Sequence, residues 1–291
     1  MFPDLSSVCS LFARPCRTLA VGLCAGLLAI GASGCDLLVA LLEPIPADSE
    51  YSEHLSFGNP SGAIADPSQT DNFLISDVEY ALSYNQSRGT ANWVSWKLSR
   101  ATLGSAKRQD DFRADDRLPQ GWYRVDGNDY RGSGYDRGHL VPSADRTSSA
   151  ASNSQTFVMT NIIPQSRKNN RNTWRELEEY SRDLVARGYE LYVIAGVYGG
   201  SKRIADGNVT VPSNTWKAIA VLDPGQRPES VTPDTLVFAV DVPNDNRVSS
   251  DWRRYLVSVD AIESRTQLDL LDRLPDGVEA TLETRVGDPP E

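Results

Sequence analysis

One stretch, from Gly134 to Arg182, limits the folds open to this chain. It holds a polar run, Tyr135-Asp136-Arg137-Gly138-His139, a strand-like run over residues 157–162, and a helix that begins near Asn172 and stops at Gly188. Trp174, Leu177, Leu184 and Val185 give that helix one apolar face that needs a partner. Glu178 and Arg182, at i and i+4, share another face. Around this helix the chain is mostly strand-like, with runs at 80–84, 92–98, 189–197, 216–222, 236–242 and 255–259 separated by Pro- and Gly-containing turns. Within 92–98, Trp93, Ser95 and Lys97 alternate with Val94, Trp96 and Leu98. A last amphipathic helix is expected over 267–273. Many strands and few helices, one of them long, predict an α+β domain around a largely antiparallel central sheet.

Cysteine placement sets the chain's outer organisation. Cys9, Cys16, Cys24 and Cys35 all lie in the first 35 residues, so the body offers no thiol for a disulfide, a thiolate metal site or a nucleophile. Residues 1–35 read as an export signal: Arg14 and Arg17 precede an apolar run over 19–30 that is short for a membrane span. Ala32-Ser33-Gly34-Cys35 resembles the lipobox of bacterial lipoproteins. That resemblance implies a lipid on Cys35 and a membrane-anchored protein of the cell envelope, on its periplasmic or extracellular face; without the lipid the protein is secreted. Residues 36–52, with Pro44 and Pro46, suit a tether. A single domain is expected over 53–288, and no protein partner is implied.

The formal net charge of −10 speaks against indiscriminate coating of nucleic acid. Charge is nonetheless unevenly spread. Residues 97–182 carry 15 Lys/Arg against 11 Asp/Glu, and the rest of the chain 14 against 28. The central stretch is the basic part of an acidic protein. Only two histidines occur, His54 and His139. His54 precedes a turn-rich segment and reads as structural. His139 has Arg137, Asn161, Asn170, Glu178 and Arg182 following in a strand, loop and helix pattern that can return them to it, and an imidazole neutral near pH 7 suits proton abstraction from water.

Asn169, Asn170 and Asn172 crowd the loop before the helix. An Asn carbonyl is a hard, neutral oxygen ligand suited to Mg²⁺, although three Asn in a loop also serve as turn residues and an N-cap. Phosphodiester hydrolysis needs an activated water, charge neutralisation on phosphoryl oxygens and a proton for the leaving alkoxide. His139 can supply the first, a divalent ion with an Arg the second, and a water on that ion the third.

The run from Ser133 to Thr147, SGYDRGHLVPSADRT, closely resembles the signature of the DNA/RNA non-specific endonucleases of the ββα-metal type. The likeness continues through Thr160-Asn161-Ile162-Ile163-Pro164-Gln165, Asn170-Arg171-Asn172-Thr173-Trp174, Leu177-Glu178-Glu179-Tyr180 and Arg182, covers nearly the whole body, and is nearest the cyanobacterial sugar-non-specific nucleases. The resemblance implies a ββα-metal motif with His139 as general base and Asn170 as the direct ligand of Mg²⁺ or Mn²⁺. It further implies Glu178 holding the metal's water shell, Arg108 stabilising the transition state, Arg137 and Arg182 placing the phosphate, and Asp136 and Asn161 orienting the loop and the imidazole. DNA and RNA are the implied substrates, with 5′-phosphate and 3′-hydroxyl products. The rivals are a non-catalytic nucleic-acid binder, an interaction lipoprotein, and an enzyme confined to small phosphodiesters.

Overall fold

The computed structural model describes residues 52–290; the expected signal, Cys35 and all but the last residue of the expected tether lie outside the described residues. The strands in chain order are β1 (Phe73–Ser76), β2 (Ala81–Asn85), β3 (Thr90–Leu98), β4 (Asp136–His139), β5 (Ile162–Gln165), β6 (Glu190–Tyr198), β7 (Arg203–Ile204), β8 (Val209–Thr210), β9 (Asn214–Leu222), β10 (Leu236–Pro243) and β11 (Leu256–Val257). The helices are α1 (Ala150–Gln155), α2 (Arg175–Ala186), α3 (Val259–Thr266) and α4 (Asp276–Thr284). Seven strands form one sheet in the order β1-β2-β3-β6-β9-β10-β11, with every neighbouring pair antiparallel. The fold is α+β, as the alternation of strand runs around one long helix predicts.

Both faces of the sheet are covered, which is why β6 and β9 are buried almost throughout despite being antiparallel. On one face Val94, Trp96 and Leu98 of β3, Val193 of β6 and Ile219 of β9 pack with Leu140, Ile163, Trp174, Leu177 and Leu184. Residues of the opposite parity, including Trp93, Ile194 and Trp216, pack with Val259, Ile262, Leu270 and Leu282. One face therefore carries β4, β5 and α2, and the other carries α3 and α4. Gly196 permits a close approach here, because a Cβ at that position would meet the Trp216 ring at 2.5 Å.

Three local expectations are corrected. Residues 157–162 are not one strand: a 3₁₀ turn, Met159–Asn161, precedes β5, and the Asn161 side chain bonds back to Val141 and Thr156 in place of a strand ladder. The long helix is entered through a π-helical turn, Asn169–Trp174, earlier than Asn172. Residues 267–273 are not helical. Gln267, at φ 61°, ends α3 in the left-handed region, and the next helix waits for Pro275 and Asp276.

Candidate active site

A two-stranded antiparallel hairpin starts the site. β4 pairs with β5 in the register Asp136↔Gln165 to His139↔Ile162, and a Cβ on Gly138 would run into the Gln165 side chain, at 2.1 Å from its amide oxygen. Asn161 then clamps the chain just past the histidine. Its Oδ1 accepts from Val141 N at 2.9 Å, and its Nδ2 donates to Val141 O at 3.0 Å and Thr156 O at 2.9 Å. Asn161 thus fixes the strand end that carries His139, and its side-chain bonds go to backbone.

The π turn is held from below. Fully buried Asn169 accepts from Gln165 Nε2 at 2.7 Å and donates to Thr215 Oγ1 and Pro243 O at 3.0 Å, tying the turn to β5, β9 and β10. Such widened turns recur at functional sites, where they swing one residue out of the helical row. Here the adjacent Asn170 faces the cleft. Its Nδ2 donates to Asp136 Oδ2 at 3.1 Å, which commits the amide's donor end and leaves Oδ1 as its ligand atom. Burial raises the Asp136 carboxyl, but hydrogen bonds from Arg171 and Asn170 outweigh it, and the net shift is downward. Asp136 is therefore an ionised anchor for Asn170 and Arg171.

His139 sits 9% exposed between two aromatic rings. Its ring centre lies 5.5 Å from Phe112 and 4.9 Å from Phe157, and its buried Nε2 has no hydrogen-bond partner. Each ring also carries a guanidinium, with Arg108 4.7 Å from the Phe157 centre and Arg137 4.0 Å from that of Phe112. Burial, reinforced by the positive charges of Arg108 and Arg137, holds the imidazole down to about 3. The ring is neutral at physiological pH and ready to accept a proton. Arg108 comes from the charged loop that the sequence leaves on the surface. Arg113 N donates to Phe157 O at 3.2 Å and Met159 N to Arg113 O at 2.9 Å, pinning that loop, and Arg108 Nη1 donates to Ser143 Oγ at 2.8 Å.

Six of the expected residues, Arg108, Arg137, His139, Asn170, Glu178 and Arg182, line one open cleft of about 470 Å³. Asp136 lines an adjoining depression of about 440 Å³ that shares Arg108, Arg137 and Asn170. Asn161 lies behind both. Arg171 and Arg175 join the first cleft, giving five guanidinium groups against one carboxylate, Glu178. A neutral amide oxygen and a carboxylate form a hard-oxygen donor set, and it fits Mg²⁺ or Mn²⁺ held partly through water.

Sequence reasoning missed the layer beneath Glu178. Arg182 Nη1 donates to Asp145 Oδ1 at 2.9 Å, and the same carboxylate accepts from Trp96 Nε1 at 3.2 Å. Lys217, 2% exposed in the middle of β9, places its ammonium 4.4 Å from the Trp174 ring centre and 5.4 Å from that of Trp96. Burial raises the Glu178 carboxyl while Lys217 opposes it, and burial lowers Lys217 while Glu178 and Asp145 oppose it. A lysine inside an otherwise apolar strand run was the available signal.

A family model described as DNA/RNA non-specific endonuclease matches residues 58–277. The chain belongs to the DNA/RNA non-specific endonuclease family. Among curated relatives of this endonuclease, a nuclease of Nostoc sp. is 49% identical over 255 residues, covering 87% of this chain and 93% of the relative. Human mitochondrial endonuclease G is 31% identical over 209 residues, covering 67% and 68%. A chain in the crystal structure of an EndoG/EndoGI complex matches with a TM-score of 0.65 at 24% identity, covering 77% of this chain and 92% of that one, a likeness of fold. The endonuclease is thus a metal-dependent phosphodiester hydrolase of ββα-metal architecture.

Proposed function

We propose that the chain hydrolyses DNA and RNA without regard to sugar, leaving 5′-phosphate and 3′-hydroxyl ends, with His139 as general base. The observation that carries this reading is the buried neutral imidazole at the wall of a cleft that also presents Asn170, Glu178 and five guanidinium groups. His139 takes a proton from water, the water oxygen attacks phosphorus, and the bond from phosphorus to the 3′ oxygen breaks. Arg108 faces the phosphoryl oxygens, where negative charge grows in the transition state. Arg137 and Arg182 place the phosphate, Asp136 holds Asn170 and Arg171 in position, and Asn161 holds the strand end of His139. Asn170 Oδ1 would bind Mg²⁺ or Mn²⁺ directly, and Glu178 would hold its water shell. That cation supplies charge neutralisation at the phosphate and an acid for the leaving oxygen.

Substrate binding and base strength are linked. In the free protein burial, and after it the charges of Arg108 and Arg137, disfavour the imidazolium. A bound phosphate offsets those charges, so the base strengthens when substrate is present. Backbone contacts through guanidinium groups carry no base readout, which supports breadth over both nucleic acids. The test is cleavage of single- and double-stranded DNA and RNA by the parent and by Asn170→Ala across a Mg²⁺ or Mn²⁺ titration, with EDTA controls and end-labelling of products. Activity on one sugar alone, or cleavage unaffected by EDTA, overturns the reading.

Export and anchoring through a lipid on Cys35 belong to the same proposal and are supported by the sequence Ala32-Ser33-Gly34-Cys35. Replacing Cys35 with Ser should move the protein from the membrane fraction to the soluble fraction. An unchanged distribution counts against the lipid.

A further inference from the structure

We propose that the acidic cluster between α3 and α4 is a second divalent-cation site, of calcium type, that fastens α4 to the face of the sheet away from the cleft. Five acids converge there. Asp260 and Glu263 stand at i and i+3 on α3, Glu279 and Glu283 at i and i+4 on α4, and Asp269 on the connection. Their carboxylate oxygens form two triads, Asp260/Glu263/Glu283 and Asp269/Glu279/Glu283, each with all its members within 4.8 Å of one another. Glu283 is common to both.

Proximity of acids alone would not make a site; the state of Glu283 does. It is only 8% exposed, and its Oε1 is buried with no hydrogen-bond partner. A buried carboxylate oxygen without a donor is costly, and the other contact of this carboxyl, a hydrogen bond with Glu263, exists only while one of the two acids keeps a proton. Two arginines close in sequence have other partners. Arg265 pairs with Asp241, and Arg285 donates to Pro233 O at 3.0 Å and Thr235 O at 2.7 Å. Glu263 is held in place by Leu270 N, which donates to its Oε1 at 2.7 Å. The charges acting on Glu279 and Glu283 are acidic, and both carboxyls are raised, chiefly by burial and then by those neighbours.

An all-carboxylate donor set favours calcium over Mg²⁺, which demands near-ideal octahedral geometry and keeps several of its waters. Ca²⁺ also accepts six to eight oxygens in flexible arrangements, which suits carboxylates delivered by two helices and a loop. One ion centred on Glu283 would replace mutual repulsion with ligation and staple α4 to α3.

The experiment titrates EDTA-stripped full chain with Ca²⁺, reading calorimetric binding and thermal unfolding in the parent, Asn170→Ala and Glu283→Gln. Ca²⁺ should raise the parent Tm by about 5 °C, and by as much in Asn170→Ala, since the cleft is not involved. Glu283→Gln should lose that calcium binding and the Tm response while cutting DNA in Mg²⁺ at the parent rate. If Glu283→Gln does not fold, Asp260→Asn is read for the same loss. The proposal is overturned if no calcium binds beyond that lost in Asn170→Ala, or if the acid variant keeps the full response. It also falls if calcium leaves Tm unmoved while the parent, unlike the variant, gains stability on acidification alone, the mark of a shared proton.

Discussion

The two faces of the sheet bury titratable groups under opposite surroundings. On the face carrying β4, β5 and α2, His139 is enclosed by Phe112 and Phe157 with guanidinium groups beyond them, and its proton affinity is driven down to about 3. On the face carrying α3 and α4, buried Glu283 and partly exposed Glu279 lie among acids, and Glu279 is driven up to about 7. Burial disfavours the charged form in both places. What differs is the sign of the neighbours: cations keep a base unprotonated where a phosphate is to bind, and anions leave carboxylates in want of a cation. The cleft is thus built to receive negative charge, and the α3–α4 cluster, on the proposal above, positive charge.

The largest expected effect is on the cleft. His139→Ala should lower DNA cleavage by about 10² to 10⁴, the usual contribution of a positioned base, with little change in Tm. A variant that cuts at the parent rate would remove His139 from the chemistry and make the aromatic enclosure a packing feature.

Next in size is the layer beneath the cleft. Lys217 opposes the upward shift of Glu178, so Lys217→Met should leave Glu178 protonated to higher pH. Loss of such a support for a metal-binding carboxylate typically costs about 10- to 100-fold in metal affinity or activity. The acid limb of kcat/KM should move upward, and excess Mg²⁺ should restore part of the rate. An unmoved pH profile, with Tm alone reduced, would mean that Lys217 only packs between Trp96 and Trp174.

These two positions also show how far the sequence could be read. His139, Asn170, Glu178, Arg137 and Arg182 were legible because hairpin and helix deliver them within one short stretch, and Arg108 because the family likeness reaches its loop. Lys217 was not, since it arrives from β9, and only the sheet register, Lys217↔Ala195, turns it towards α2. The alternation in β3 gave both faces correctly. The edge strand β1, which pairs with β2, was hidden because Phe73–Ser76 is four residues long. Helical periodicity failed at residues 267–273, where Leu270 and Leu271 are buried from an irregular segment. It failed there for a physical reason: burial in a short connection imposes no period. The α3–α4 cluster was likewise illegible, because its acids come from two helices whose boundaries the sequence did not disclose.

The faces should respond to acid in opposite senses in the cation-free chain. The folded His139 sits below its ordinary 6.5, so its stabilising contribution is lost as pH falls from 6.5 towards 3. Glu279 sits above its ordinary 4.5, so its contribution is full below 4.5 and is lost as pH rises towards 7. For His139, between pH 6 and 5 one fully shifted proton changes the slope of unfolding free energy by at most about 1.4 kcal/mol per pH unit, and the more exposed Glu279 changes it by less because solvent screens it. His139→Asn should therefore make the parent's decline on acidification shallower, and Glu279→Gln should make it steeper. Slopes that move together in denaturant titrations would break the contrast between the faces.

The smallest effect tests whether the cleft's cations act on phosphate and not on the fold. Arg175 lies at the cleft and pairs with Glu176 at 2.8 Å and Glu179 at 3.7 Å, all well exposed. Exposed pairs of this kind contribute about 0 to 1 kcal/mol, because solvent screens them and ordering two long side chains costs entropy. Arg175→Gln should leave the denaturant midpoint almost unchanged. If the guanidinium meets a phosphate, the salt dependence of DNA binding should lose about one contact's share, roughly 0.9 in the slope of log K against log salt. A catalytically silent background such as His139→Ala isolates that binding step. An unchanged salt slope would place Arg175 outside the phosphate track and draw the working edge of the cleft back to Arg108, Arg137, Arg171 and Arg182. A stability loss in place of a slope change would mean that its pairs with Glu176 and Glu179 serve α2, and that the basic face is less committed to its ligand than the comparison requires.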